Sequence, residues 1–227
     1  MNKETLSPSP VALRHRIFIL DDHSLVREGL TKLIEQEPDL CVCAEATDAT
    51  EALEGIRRSA PDAVVLDISL PGESGLELIK RIQTLENPPP VLVLSMHDEA
   101  FYAKRALRAG ALGYVMKRES SGKVIGGLRA ILAGQIYVSP AIAAQAAENF
   151  LRQQPVNSGS PVDCLTDREI EVFRRMGLGH ETRRIADDFN LSLKTVQTHC
   201  AHIKEKLGIE NATVLMREAV RWVESNP

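Results

Sequence analysis

Two short apolar runs that each end on aspartate constrain the fold of this chain more than any other feature. Residues 63–66 read Ala-Val-Val-Leu between nearby prolines, and Asp67 follows them directly. A run of this length, bounded by turn residues, is typical of a strand buried on both faces, as in a parallel sheet. Residues 17–20 end in the same way, on Asp21 and Asp22. Because open α/β sheets keep ligand sites at the carboxyl ends of strands, the three aspartates are predicted to converge if the two strands are neighbours.

Strand and helix patterns alternate over the first 134 residues. The predicted strands are 17–20, 40–44, 63–66, 91–95 and 113–116. The predicted helices are 23–37, 48–58, 74–84, 98–109 and 121–133, with N-caps at Asp48 and Asp98 and a left-handed stop at Gly110. The inward stripe of the first helix is expected to contain Leu25, Gly29, Leu30, Leu33 and Ile34. Five βα units predict a doubly wound parallel sheet in the flavodoxin-like order 2-1-3-4-5, with helices on both faces.

The ends of the predicted strands carry a set of groups suited to a phosphate. These groups are Asp21, Asp22, Asp67, Ser95 and Lys117. Clustered carboxylates are costly unless a cation neutralises them, and hard oxygen ligands suit Mg²⁺. Three carboxylates, one Mg²⁺ and one lysine sum to zero charge, which leaves the site ready for a phosphoryl group. An aspartate is a competent nucleophile toward phosphorus, and the metal, the lysine and the serine hydroxyl would hold the transferring oxygens.

A simpler interpretation exists for each of these residues taken alone. An aspartate or serine after a strand often caps the next helix, and a lysine there is usually solvated. Two strands that end alike, accompanied by the serine and the lysine at two further strand ends, favour the shared phosphate site.

The C-terminal part is predicted to be helical. Ser139 caps and Pro140 opens an alanine-rich helix to residue 151, and residues 153–161 form a polar tether. Thr166 and Glu169 have the spacing of a capping box. Four helices follow, over 166–176, 181–189, 193–207 and 211–223. A short helix, a tight turn and a longer helix match the helix-turn-helix plan.

The helix predicted over 193–207 has one face suited to a DNA groove. Val196, Cys200, Ile203 and Leu207 share the side expected to pack inward. The opposite side carries Lys194, Thr195, Gln197, Thr198, Ala201 and Lys204. Polar groups that can read base edges, with lysines for phosphates, are what a major-groove helix needs. An ordinary solvated face is the alternative, and charge does not decide, because residues 163–227 hold ten Lys/Arg and eleven Asp/Glu.

Bulk properties exclude other classes of protein. No apolar run approaches the length of a membrane span, and residues 1–10 lack a signal-peptide core. The formal net charge of −4 gives no general indication of nucleic-acid binding. We therefore expect a cytoplasmic protein that makes no membrane contact and whose four cysteines are reduced.

The motifs of residues 16–134 resemble the receiver domain of bacterial response regulators. The residues that carry the resemblance are Asp21-Asp22-His23, Arg27-Glu28-Gly29-Leu30, Asp67, Pro71-Gly72, Gly75, Ser95, Gly113-Tyr114 and Lys117. The resemblance implies that Asp67 accepts a phosphoryl group from a partner histidine kinase. It implies that Asp22, Asp67 and the Ser69 carbonyl bind Mg²⁺, with Asp21 acting through water. Ser95 and Tyr114 would form a switch pair, in which the hydroxyl approaches the phosphoryl group and the ring turns inward.

Residues 163–223 closely resemble the LuxR-type helix-turn-helix of the NarL/FixJ family. The residues that carry the resemblance are Leu165-Thr166-Asp167-Arg168-Glu169, Val172, Gly179, Ile185-Ala186, Leu191-Ser192, Thr195-Val196-Gln197-Thr198-His199, Ile203, Lys206-Leu207 and Asn211-Ala212. The resemblance adds His199 to the expected DNA contacts. The chain departs from the usual family residues at Glu181, Arg184, Ala201 and Ala212.

These inferences predict a two-component response regulator rather than an enzyme. The expected organisation is an N-terminal tail (1–14), a receiver (15–135), a linker helix and tether (136–162) and a DNA-binding domain (163–227). Its expected partners are a sensor histidine kinase, double-stranded promoter DNA, a second copy after phosphorylation and, as a further candidate, RNA polymerase.

Three rival functions fit the sequence less well than this prediction. An aspartate-nucleophile phosphatase would need a second aspartate where Ser69 stands. A quorum-sensing regulator would need a small-molecule pocket pattern in place of acidic strand ends. A receiver that dimerises without phosphorylation would not need the complete set of phosphate-site residues.

Overall fold

The computed structural model describes residues 14–70, 73–96, 99–151, 161–189 and 191–225. The strands are β1 His15–Leu20, β2 Leu40–Ala46, β3 Ala63–Leu66, β4 Val91–Ser95 and β5 Gly113–Met116. The helices are α1 Ser24–Glu35, α2 Ala49–Ser59, α3 Gly75–Gln83, α4 Glu99–Ala109, α5 Ser121–Leu132, α6 Pro140–Leu151, α7 Asp167–Gly177, α8 Thr182–Asp188, α9 Leu193–Leu207 and α10 Ala212–Ser225. The predicted cap Asp98 and residues 153–160 of the predicted tether lie outside the described residues. In the described ranges, no helix combines the length and apolar character needed to cross a membrane.

The five strands form one parallel sheet in the order β2-β1-β3-β4-β5, which confirms the predicted topology. Alternate residues of β1 and β3 point to opposite faces, as the two-residue period of a strand requires. On one face Phe18 and Val64 pack against α2, α3 and α4. On the other face Ile17 and Val65 pack against α1 and α5. Both faces of the sheet are therefore covered, which explains why β3 and residues 17–20 of β1 are apolar throughout.

Local signals placed most helix ends correctly. The Asp48 carboxylate accepts hydrogen bonds from the backbone N–H groups of Thr50 and Glu51 at 2.8 and 2.9 Å. The capping box of Thr166 and Glu169 is formed at the start of α7. Gly110 adopts the predicted left-handed conformation, with φ +109°. The predictions for β3, β4, β5, α6 and α9 match to the residue, whereas most other ends differ by one or two residues, which is the usual uncertainty of an element's end.

The prediction for the inward stripe of α1 was wrong at two positions. Leu25 is 82% exposed, and Gly29 is exposed as well. The stripe instead runs through Val26, Leu30 and Ile34, at spacings of four residues, with Leu33 at its edge. Leu25 lies one position outside this stripe and so faces solvent.

The last four helices and the 3₁₀ turn Pro161–Cys164 enclose a separate apolar core. Residues 161–225 are called the helical domain below, and the part from β1 to α5 is called the sheet domain. Phe173, Val196 and Leu215 are buried in the core of the helical domain. Gly177, at the end of α7, lies against the backbone of α10.

The two domains pack together through α3 and α4 of the sheet domain and α7 and α10 of the helical domain. Asp167, at the start of α7, accepts hydrogen bonds from Lys80 at 2.9 Å and Arg105 at 3.0 Å. Arg105 also donates to the carbonyls of Leu165 and Val162 at 3.1 and 3.2 Å. The rings of Phe101 and Trp222 meet edge to face, with centroids 5.0 Å apart. This interface was not predicted from the sequence, and the packing of the two domains through it is called the closed arrangement below.

Replacing Gly177 by alanine should destabilise the helical domain. A Cβ atom there would overlap the Ala219 carbonyl oxygen and lie 2.6 Å from a Val223 methyl group. Backbone can yield little, so we expect the free energy of unfolding to fall by about 1–3 kcal/mol. Urea unfolding followed by the fluorescence of Trp222, the single tryptophan, measures this change.

Gly122→Ala is the matched control, because nothing lies within 4 Å of a Cβ at this exposed position of α5. Alanine at this position should leave the free energy of unfolding unchanged or raise it by up to about 1 kcal/mol. Urea unfolding followed by far-UV circular dichroism measures this change. A Gly177→Ala protein as stable as the parent would contradict the close approach of α7 and α10.

Candidate functional site

Sheet topology brings the predicted acidic residues together at one edge. Leu20 and Leu66 pair as the last residues of the adjacent strands β1 and β3, so Asp21 and Asp67 follow side by side. The backbone N–H of Asp67 donates to the Leu20 carbonyl at 2.9 Å, which continues the strand pairing past the strand end. Asp21 and Asp67 are only 1% and 2% exposed, although both are charged residues.

Lys117 is brought to the same place by β5. Its backbone N–H donates to the carbonyl of Ser95 at 2.8 Å, which fixes the lysine at the end of the sheet. Its Nζ atom then lies 2.6 Å from Asp21 Oδ2 and 2.6 Å from Asp67 Oδ2. One ammonium group thus bridges the two buried carboxylates.

The electrostatics of this bridge are unbalanced. Burial raises the pKa of Asp67, and the nearby charge of Lys117 opposes that rise without cancelling it. Burial would lower the pKa of Lys117, but attraction to Asp67 and Asp21 outweighs burial, and its pKa is raised. The two directions have different causes, since burial disfavours the charged form of Asp67, whereas the two carboxylates favour the charged form of Lys117. With Asp22 included, the group carries two negative charges in excess, which a divalent cation would balance.

The donor atoms fit a hard cation. Ligand atoms of Asp21, Asp22, His23 and Asp67 all lie within 4.8 Å of one another. Mg²⁺ prefers oxygen donors and takes a few carboxylates at such sites. The three carboxylates therefore suit Mg²⁺ better than the imidazole does, and His23 Nδ1 is instead within 2.7 Å of Asp22 Oδ1. His23 was not among the site residues predicted from the sequence, although its position directly after the acid pair indicated that it would lie at this site.

The other predicted site residues lie around this cluster. The backbone N–H of Ser69 donates to Asp67 Oδ1 at 3.1 Å, so the turn after β3 orients the carboxylate. Ser95 is fully buried at the end of β4. Tyr114 is 1% exposed, and its ring already belongs to the core on the α4 side of the sheet.

The predicted DNA-reading helix is α9. Ser192 caps it by accepting a hydrogen bond from the Thr195 N–H at 3.0 Å, while Val196 and Ile203 are buried beneath it. The predicted contact residues that are exposed are Lys194, Gln197, Thr198 and Ala201. The predicted contact residues that are half-buried are Thr195, His199 and Lys204. Burial lowers the pKa of His199, and the nearby charge of Arg168 lowers it further. The outer face of α9 is thus open to solvent in the closed arrangement.

Both domains match known families. Residues 17–129 match the response regulator receiver domain, and residues 163–219 match the bacterial regulatory proteins of the luxR family. The oxygen regulatory protein NreC of Staphylococcus aureus (strain MRSA252) is 31% identical over 210 residues. The match covers 91% of this chain and 97% of NreC.

Solved structures give the same assignment. A LuxR-family two-component response regulator from Aurantimonas sp. SI85-9A1 is 40% identical, with a TM-score of 0.56, over 61% of this chain and 99% of that chain. The RcsB response regulator of Salmonella typhimurium, in a structure described by its conformational dynamism for DNA interaction, is 26% identical. Its TM-score is 0.56, and the match covers 91% of this chain and 98% of that chain.

The matches to both families agree with the parallel sheet, the helix-turn-helix and their order along the chain. This chain therefore belongs to the NarL/FixJ family of two-component response regulators, in which a receiver domain is joined to a LuxR-type DNA-binding domain that regulates transcription.

Proposed function

We propose that Asp67 accepts a phosphoryl group from a sensor histidine kinase and that this event controls binding of α9 to promoter DNA. The observation that carries the proposal is the bridge of Lys117 between Asp67 and Asp21 at the ends of β1, β3 and β5. Placing a buried carboxylate beside an ammonium group and two further acids does not help to stabilise the fold, because burying charged groups costs free energy. A transient phosphoryl group and a divalent cation explain it.

Each residue of the site has a distinct role in the transfer. An oxygen of Asp67 forms the new bond to phosphorus while the bond from phosphorus to the donor nitrogen breaks and the donor histidine keeps that electron pair. Lys117 then pairs with the phosphoryl oxygens, which carry the charge that develops. The Ser95 hydroxyl donates a hydrogen bond to another phosphoryl oxygen, and Tyr114 occupies the space behind it. Mg²⁺, held by Asp21, Asp22, Asp67 and the Ser69 carbonyl, would neutralise the remaining phosphoryl charge.

The proposed output is binding of two copies to paired DNA half-sites. A single helix reading one half-site binds weakly, so two-fold dimers on sites one helical turn apart are expected. Lys194 and Lys204 would contact phosphates, and Thr195, Gln197, Thr198, His199 and Ala201 would face the bases. Phosphorylation would shift an existing equilibrium toward the form that dimerises. We assign residues 15–135 to the receiver, 136–162 to the linker and 163–227 to the DNA-binding domain. The protein would act in the cytoplasm, and RNA polymerase is a candidate partner.

Asp67→Asn should abolish phosphorylation. The amide cannot attack phosphorus, so incubation with acetyl phosphate and Mg²⁺ should leave the mass of the variant unchanged while the parent gains one phosphoryl group. Intact-protein mass spectrometry measures this gain. The control is Asp48→Asn, because asparagine caps α2 as well as aspartate does. Removal of Mg²⁺ with EDTA should suppress labelling of the parent, and labelling of Asp67→Asn at the parental level would refute the assignment.

Beryllofluoride with Mg²⁺ should raise DNA affinity and promote dimerisation, because it resembles an aspartyl phosphate. DNA fragments selected from a random pool supply the probe. Affinity should rise about tenfold, within the usual range of coupling between sites, and light scattering should report the mass of a dimer. Asp67→Asn provides the control and should respond in neither assay. Identical affinity and mass with and without beryllofluoride would contradict the switch.

Gln197→Ala and Lys194→Ala should weaken DNA binding in different ways. Loss of a base contact at residue 197 should cost about 1–3 kcal/mol and relax the sequence preference at one position. Loss of a phosphate contact at residue 194 should weaken binding to all sequences and reduce the salt dependence by about one counterion. Fluorescence anisotropy at several salt concentrations separates the two effects. Lys32→Ala, which removes an exposed charge from α1, is the control, and a similar loss in all three variants would argue against α9 as the reading helix.

A further inference from the structure

A cavity of about 290 Å³ lies between the two domains at the mouth of the acidic site. The sheet domain contributes Asp22, His23 and Ser69 to its wall, and these residues border the Asp67 carboxylate. The helical domain contributes Arg174 and Arg184, from α7 and α8. The DNA-binding domain thus supplies one wall of the entrance to the proposed phosphoacceptor.

The charges on the wall from the helical domain are uneven. Arg175 pairs with Asp188 at 3.3 Å. Glu171 accepts hydrogen bonds from Arg168 at 2.7 Å and from Ser74 at 2.9 Å. Across the described ranges of the chain, the side chains of Arg174 and Arg184 form no ion pair or hydrogen bond with another residue. Two guanidinium groups without a side-chain partner therefore line the cavity, whereas its carboxylates, Asp22, Glu171 and Asp188, each have another partner.

The chemistry of these two groups selects the ligand. Guanidinium groups bind carboxylate and phosphate through paired, charge-assisted hydrogen bonds. The cavity volume equals that of about ten water molecules, which admits a small anion and excludes a folded protein domain. Because the cavity is lined by Asp22, His23 and Ser69, which lie directly beside the Asp67 carboxylate, the anion that suits it is a reactive phosphate of low molecular weight.

We propose that Arg174 and Arg184 bind a small acyl phosphate in the closed arrangement, so that the DNA-binding domain helps to load the receiver. This inference rests on the proposed role of Asp67 as phosphoacceptor. An Asp67 oxygen forms the bond to phosphorus, and the bond between phosphorus and the acyl oxygen breaks. The acyl group leaves as a carboxylate that keeps the electron pair, and no proton has to move. The arginines hold the anionic donor before transfer.

A histidine kinase and a small acyl phosphate would reach Asp67 by different routes. A histidine kinase is a protein and cannot enter a cavity of this size, so it requires the helical domain to move away from the mouth. A small acyl phosphate can react without that movement. The closed arrangement should therefore favour small donors over the kinase.

The double variant Arg174→Gln/Arg184→Gln tests the proposal in the full chain. Acetyl phosphate is the probe, with Mg²⁺ present, and the initial rate of phosphorylation is measured against donor concentration. The concentration for half-maximal rate should rise about tenfold, because each lost charge-assisted hydrogen bond weakens binding, while the maximal rate should change little. Arg183→Gln is the control, because this exposed neighbour does not line the cavity.

A binding measurement supplies a readout that is independent of turnover. In an Asp67→Asn background the donor cannot react, so calorimetric titration reports acetyl phosphate binding alone. The two arginine substitutions should weaken that binding about tenfold, whereas Arg174→Lys/Arg184→Lys should lose less because the charge is kept. Unchanged half-maximal concentration together with unchanged titration would overturn this proposal. Phosphorylation of the Asp67→Asn protein would instead overturn the proposed function, so the two failures are distinct.

Discussion

The ammonium group of Lys117, held between the carboxylates of Asp21 and Asp67, is the interaction on which the candidate site depends. Two carboxylates at the ends of adjacent strands would repel each other in a poorly hydrated environment. The lysine offsets only part of the cost of the site, and the pKa of Asp67 stays raised, chiefly because the carboxylate is buried and to a smaller extent because Asp21 lies nearby. The same imbalance that makes the site costly makes it able to accept a cation and a phosphoryl group.

Much of this site could be predicted from the sequence because the strands of a parallel sheet all end on the same side of the sheet. An apolar run that is buried on both faces is a strand, and it ends at the carboxyl end of the parallel sheet. The residue that follows one strand therefore lies beside the residue that follows the adjacent strand. Asp21, Asp67, Ser95 and Lys117 were placed by that rule and lie where the five-stranded order puts them. The β4, β5 and α9 boundaries were predicted to the residue because proline, glycine or serine marks their ends.

The contacts between domains could not be predicted in this way. Arg105 and Asp167 are 62 positions apart, and neither lies in a pattern that identifies its partner. Their pairing depends on how two completed surfaces fit, which no local period records. The prediction for Leu25 was wrong for a related reason: the apolar character of a helix residue does not determine whether a neighbour covers it, and the adjacent residue Val26 faces inward instead.

The helix α4 joins three parts of the molecule that are far apart in sequence. Glu99 at its start accepts a hydrogen bond from the Ser139 hydroxyl at 2.6 Å, just before α6 begins. The ring of Phe101 contacts that of Trp222 in α10, and Arg105, one turn further along, donates a hydrogen bond to Asp167 at the start of α7. These contacts are all made by one helix, so a rotation of α4 would strain all of them together. We therefore expect release of the helical domain to be cooperative, with intermediate degrees of docking disfavoured.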